Sequence, residues 1–137
     1  MIEFIDTFAL VAFIDRRDSH HGKVVDYFKS YSARLLMTEW IVLETLDSLT
    51  APRVRGESLR IIDAMRSDPD LEIVPFDGPI YRESTDLYRT RPDKSWSLTD
   101  CTSFIVMEQR KLTRALTADH HFRQAGFTPV FLPDTRP

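Results

Sequence analysis

The chain has 137 residues, of which 42% are hydrophobic and 11% aromatic, with 8 prolines and 4 glycines. That composition excludes collagen-like, low-complexity and disordered chains, and the length predicts one compact domain over residues 1–137 with an ordinary core. The 18 Lys and Arg against 21 Asp and Glu leave a net charge of −3, which excludes a uniformly basic surface but leaves local patches open.

A single cysteine, Cys101, excludes an intrachain disulfide and a zinc site built from thiolates. The opening segment is mostly apolar, but Glu3 and Asp6 interrupt it and no basic stretch precedes it. It therefore fits neither a signal peptide nor a membrane span, and the sequence predicts a cytoplasmic protein without membrane attachment.

In chain order, residues 2–5 read as a short apolar strand, with Asp6 as a possible N-cap for a helix reaching Ile14. Val24, Tyr27, Phe28 and Tyr31 recur at helical spacing and predict a second helix over 19–32, which forms a hairpin with the first. A strand over 34–37 follows, and Thr38 caps a helix that reaches about Leu49. Pro52 and Gly56 punctuate the next stretch, so the following helix is expected around Leu59 to Met65, ending near Ser67. A third strand spans 71–75, a helix runs from Pro79 to about Arg89, and 91–96 reads as a loop. Ser97 opens an apolar helix to about Arg110, and strands over 114–117 and 129–132 flank a short helix ending at Gly126.

Five short strands alternating with helices predict an α/β fold, a three-layer α/β/α sandwich with a five-stranded, mostly parallel sheet, because parallel connections need crossovers. In such sheets the functional crevice lies beyond the carboxyl ends of the strands. Asp6 and Asp119 follow the first and fourth strands, and Glu44 and Asp100 lie near the start of helices on that same side. Converging carboxylates raise one another's pKa and are unfavourable unless a cation compensates them; Mg²⁺ or Mn²⁺, which prefers oxygen donors, supplies that compensation. Each acid also has a plainer role. Asp6 and Asp119 are placed to cap the helices after them, and Ser97-Leu98-Thr99-Asp100 approximates a capping box. Glu44 sits among Val42, Leu43, Thr45 and Leu46, where burial without a partner would be costly.

The segments Ile5-Asp6-Thr7, Thr38 to Glu44, Leu98-Thr99-Asp100 and Leu116 to Phe122 resemble, in order and spacing, the successive acidic motifs of PIN domains. The resemblance covers about residues 1–133 and is greatest to the compact proteins that include VapC-type toxins. It implies a Mg²⁺- or Mn²⁺-dependent endoribonuclease in which Asp6, Glu44, Asp100 and Asp119 are the catalytic metal ligands and Thr7 and Thr117 are supporting hydroxyls. It also implies an RNA substrate, a cognate antitoxin and a homodimer. Many PIN domains carry a further acid shortly after the fourth; this sequence has His121 there. With the four acids set aside, 17 acids remain against 18 bases, which is compatible with RNA binding, and Arg53, Arg55, Arg89 and Arg91 are candidates for the phosphate backbone.

Competing readings lack support. His20-His21 and His120-His121 invite a transition metal, but neighbours on a helix point about 100° apart and should not share a face. No P-loop, dinucleotide-binding glycine motif or nucleophile elbow is present. A phosphoacceptor receiver domain resembles a regular five-unit alternation with an acidic pair after the first strand and a lysine after the last. This chain has Asp6 alone and no lysine beyond Lys111. A housekeeping RNA-processing nuclease and a catalytically inert PIN module remain as alternatives to the toxin.

Overall fold

The computed structural model describes residues 1–30 and 33–134. Its element order is β1 (Ile2–Ile5), α1 (Thr7–Ile14), α2 (His21–Ser30), β2 (Arg34–Thr38), α3 (Glu39–Ser48), α4 (Pro52–Arg66), β3 (Leu71–Val74), α5 (Gly78–Thr90), α6 (Leu98–Gln109), β4 (Arg114–Leu116), α7 (His120–Gln124) and β5 (Thr128–Pro129). The strands form one sheet in the order β3-β2-β1-β4-β5, and every pairing is parallel. The α/β architecture expected from the alternation is the one observed, with the sheet parallel throughout.

From β1 the chain steps outward through β2 to β3 and then returns to place β4 on the other side of β1. With right-handed crossovers, that reversal puts the connecting helices on opposite faces and opens a crevice between the carboxyl ends of β1 and β4. Burial on both faces explains the near-continuous apolar central strands, where Phe4, Ile5, Leu36, Met37, Ala115 and Leu116 are all buried. Glu3 is the exception. It is fully buried within β1, where its two carboxylate oxygens accept from the Tyr27 hydroxyl and from Arg114 Nε, both at 2.7 Å.

Three expectations need correction or adjustment. Gly56 does not break the chain: α4 begins at Pro52 and runs through it, because proline at the first helical position lacks only an amide that would be unpaired there. The last strand is two residues rather than four. Pro129 has no amide to donate, and beyond it only single bonds from Val130 and Phe131 to Ala115 and Thr117 continue the edge. The predicted second helix begins at His21 rather than Ser19, and its Tyr31 and Ser32 lie outside the described residues. Gly126 adopts φ of +96°, the left-handed conformation that ends α7, with Phe127 N–H donating back to Phe122 O at 2.9 Å. Among the described residues no helix is long and apolar enough to cross a membrane.

Candidate active site

The crevice beyond β1 and β4 is assembled by hydroxyls that tie one element to the next. Asp6 leaves the end of β1 and is only 6% exposed. Its Oδ2 accepts from the Thr117 hydroxyl at 2.7 Å, and the same hydroxyl oxygen accepts from the Asp119 amide at 3.1 Å. Thr117 thus fixes the exits of both strands. At the start of α1 the Thr7 hydroxyl donates to Glu44 Oε1 at 2.5 Å, holding a half-buried carboxylate of α3.

Asp100 and Asp119 are positioned by helix starts. Ser97 and Asp100 form a reciprocal capping box on α6, with Asp100 Oδ2 accepting the Ser97 amide at 3.0 Å. Asp119 caps α7 by accepting the His121 amide at 2.9 Å. The two acids are joined by His121, whose Nδ1 lies 3.1 Å from Asp100 Oδ2 and 3.3 Å from Asp119 Oδ1. Asp6, by contrast, makes no side-chain cap on α1, although its position predicts one; its carboxylate is committed to Thr117 instead.

The electrostatics follow from crowding in a dry place. Burial pushes the Asp6 carboxyl from 3.8 up to about 7, against the Thr117 hydroxyl and the Thr7 amide, which favour its ionised form; Asp100 and Glu44 push it further up. Asp100 is also raised, by burial first and by Asp119, while the Ser97 amide and His121 oppose the rise. Asp6 thus senses Asp100 and Glu44, and Asp100 senses Asp119. Among the described residues none of them pairs with a lysine or arginine. In Glu44, Asp100 and Asp119 one oxygen takes every hydrogen bond from the described residues, which leaves the other available to a ligand. Oxygen donors with unbalanced negative charge fit a hard divalent cation.

The histidines correct one expectation. His120 and His121 do come together, with ring centroids 4.4 Å apart, because they are the first two residues of α7 and both lean over the capping carboxylate. Donor atoms of Asp119, His120 and His121 lie within 4.8 Å of one another, a grouping able to hold a metal ion. His20 and His21 have ordinary packing roles: His20 meets the Phe8 ring edge-on, and His21 Nδ1 lies 2.7 Å from Ala12 O.

The four arginines named as RNA contacts are not equivalent. Arg53 is held in a two-pronged pair with Asp15, at 2.8 and 2.9 Å. Arg89 pairs with Asp86 on an open surface, Arg91 pairs with Asp93 and lies over the Trp96 ring, and Arg55 is exposed. Two features escaped sequence reasoning: the bridging role of His121, and Ser95, whose hydroxyl lies 3.3 Å from His121 Nε2. A histidine two positions after a capping aspartate was the one available signal.

The model of the PIN domain family matches residues 4–128. No curated protein matches the chain by sequence. Among solved structures, the VapC20 toxin of Mycobacterium tuberculosis, described as cleaving the sarcin-ricin loop, superposes with a TM-score of 0.85 at 21% identity, covering 95% of this chain and 98% of that one. VapBC2 from Rickettsia felis, bound to DNA from its promoter, gives 0.64 at 14% identity over 94% and 97%. A toxin-antitoxin complex from Klebsiella pneumoniae gives 0.60 at 14% identity over 86% and 87%. At these identities the likeness is one of fold.

Proposed function

The chain belongs to the PIN domain family, and from that premise we propose that it is a Mg²⁺- or Mn²⁺-dependent endoribonuclease, the toxin of a toxin-antitoxin pair. The observation that carries the proposal is the crevice of Asp6, Glu44, Asp100 and Asp119, in which burial and mutual repulsion hold Asp6 up at about 7 and no lysine or arginine pairs with the acids among the described residues. The four carboxylates would hold the divalent ion. When bound, such an ion supplies charge neutralisation at the phosphoryl oxygens and makes water more acidic.

The protein's own groups do the positioning. Thr117 orients the Asp6 carboxylate and Thr7 that of Glu44. Both hydroxyls are committed as donors, so neither is a free nucleophile, and water is the attacking group. Of the oxygens of Asp100 and Asp119 that accept nothing from the protein, one that the ion does not take would be placed to receive the proton lost by that water. His121 Nδ1 stands between Asp100 and Asp119, and the proton that two carboxylates call for there would let it donate to them and keep them from rotating away.

As the toxin of a pair, the protein would have an antitoxin partner covering the acidic crevice, and would act as a cytoplasmic homodimer. The fold likeness to toxins crystallised with their antitoxins supports this reading. The test is cleavage by purified protein of a panel of single-stranded and hairpin RNAs. Cleavage should need Mn²⁺ or Mg²⁺, stop with EDTA, and vanish in Asp100→Asn with the fold intact by circular dichroism. RNA binding without turnover across the panel would favour an inert module, and cleavage confined to a precursor RNA a housekeeping nuclease.

A further inference from the structure

A cleft of about 800 Å³ lies between the end of α5 and the start of α6, lined by Tyr88, Arg89, Arg91, Lys94, Ser95 and Trp96 among others. That is a volume of the size taken by small-ligand sites, roughly 300–1,000 Å³. Three of its lining residues are cations and none is acidic, the reverse of the neighbouring crevice.

Its floor is rigid. Trp96 is buried, its ring edge-on to Phe104 at 5.0 Å and its indole N–H donating to Gln124 Oε1 at 3.0 Å. The Arg91 guanidinium lies 5.2 Å above that ring. The rim is available: Tyr88 is 56% exposed, and the Arg89–Asp86, Arg91–Asp93 and Lys94–Asp93 pairs are surface contacts of the weak kind that a phosphate can displace. Continuity with the acids comes through one imidazole. Ser95 lines the cleft with its hydroxyl 3.3 Å from His121 Nε2, and the opposite ring nitrogen is 3.1 Å from Asp100.

We propose that this cleft is a binding subsite for the nucleotide next to the scissile phosphate of a single-stranded RNA, with Arg89, Arg91 and Lys94 holding backbone phosphate and Tyr88 stacking on an unpaired base. The inference rests on the nuclease reading for the identity of the crevice. The chemistry selects an unpaired strand, because a base must leave its own stack to meet an aromatic side chain, and cations beside an aromatic ring are the combination that tracks such strands. It also separates two tasks in space: the acids repel an RNA phosphate until a cation binds, whereas the cleft attracts the strand with or without one.

The test is binding of a fluorescein-labelled single-stranded RNA 12-mer to the full chain in EDTA, followed by anisotropy. The variants Arg89→Ala with Lys94→Ala, and Tyr88→Ala, change exposed side chains, and thermal melting checks that they fold. The double variant should bind at least tenfold more weakly and flatten the plot of log affinity against log salt by about 1.4, the share of two phosphate contacts on a single strand. Tyr88→Ala should cost at least fivefold with the slope unchanged, and Tyr88→Phe should restore it. With Mn²⁺ and a cleaved RNA, the same variants should raise KM and leave kcat in place. Unchanged affinity and slope in both variants would overturn the proposal whether or not the protein cleaves RNA, as would a wild-type protein that does not bind the 12-mer. If the variants instead lose only poly-glutamate binding, the cleft serves an acidic protein partner. A subsite that binds RNA in a protein that never cleaves would leave this inference standing and refute the nuclease reading.

Discussion

Replacing Asp6 by Asn should stabilise the metal-free protein. A carboxyl moved from 3.8 in the unfolded chain to about 7 in the fold costs about 4 kcal/mol when ionised, at about 1.4 kcal/mol per pH unit. Below pH 4 the group is protonated in both states and the cost is absent; above pH 7 it is ionised in both and the cost is complete. Stability of the wild-type protein should therefore fall as pH rises between these limits and level off beyond them. Asparagine keeps the shape and still accepts from Thr117, so Asp6→Asn should lose this slope and gain about 2–4 kcal/mol at pH 8, roughly 10 °C in melting temperature. The assay is thermal and urea unfolding in EDTA at pH 4.5, 6 and 8. Adding Mn²⁺ should then stabilise the wild type more than the variant, because binding to the folded state alone is what raises its stability. A variant less stable than wild type at pH 8, or one with the wild-type pH slope, would refute the account of Asp6 as a carboxylate waiting for a cation.

Three further outcomes follow from other contacts. Arg114→Leu removes the cation beside fully buried Glu3 and should destabilise the protein by about 3 kcal/mol in urea unfolding, with part of the loss recovered in Arg114→Leu with Glu3→Gln. Gly56→Ala should stabilise by about 0.5–1 kcal/mol, since the position is mid-helix and an added methyl meets only the flexible end of Arg60 at 3.6 Å. His121→Asp replaces a nitrogen donor beside Asp119 by oxygen, so calorimetry without RNA should show the ratio of Mn²⁺ to Mg²⁺ affinity falling, roughly tenfold, because imidazole favours the transition metal. An unchanged ratio would mean that His121 only braces its neighbours.

Much of the fold was legible because its elements are locally determined. The Thr38 cap and the Ser97 capping box each stand within four residues of the helix they start, and each forms as its sequence suggests, whereas the helix expected from Pro79 begins one residue earlier, at Gly78, capped by Asp77. What was not legible depends on partners far along the chain. Glu3 reads as a break in an apolar run, and only the parallel register of β1 with β4 sets it beside Arg114, 111 positions away. Glu44 offered no signal of its bond to Thr7, 37 positions earlier. Gly56 misled because a helix breaker in isolation is tolerated where a proline start and buried Val54, Ser58 and Ile62 already fix the helix.

The acids of the crevice show why cap and ligand cannot be told apart by position alone. A helix start offers unpaired amides, and a carboxylate placed there is held by them without any cation. Asp100 and Asp119 use one oxygen in that way and, among the described residues, keep the other free, so the cap is what holds each carboxylate in place. Asp6 makes no such cap on α1: its Oδ2 holds the Thr117 hydroxyl, it is the most deeply buried of the four, and burial outweighs the Thr117 hydroxyl and the Thr7 amide to raise it to about 7. The capped pair is held by helix amides, whereas Asp6, buried and raised to about 7, is the acid that a divalent ion would relieve most on the nuclease reading. Asp6 stands at the end of β1 beside β4, where the strand order reverses, which is the place at which such sheets put their functional crevice.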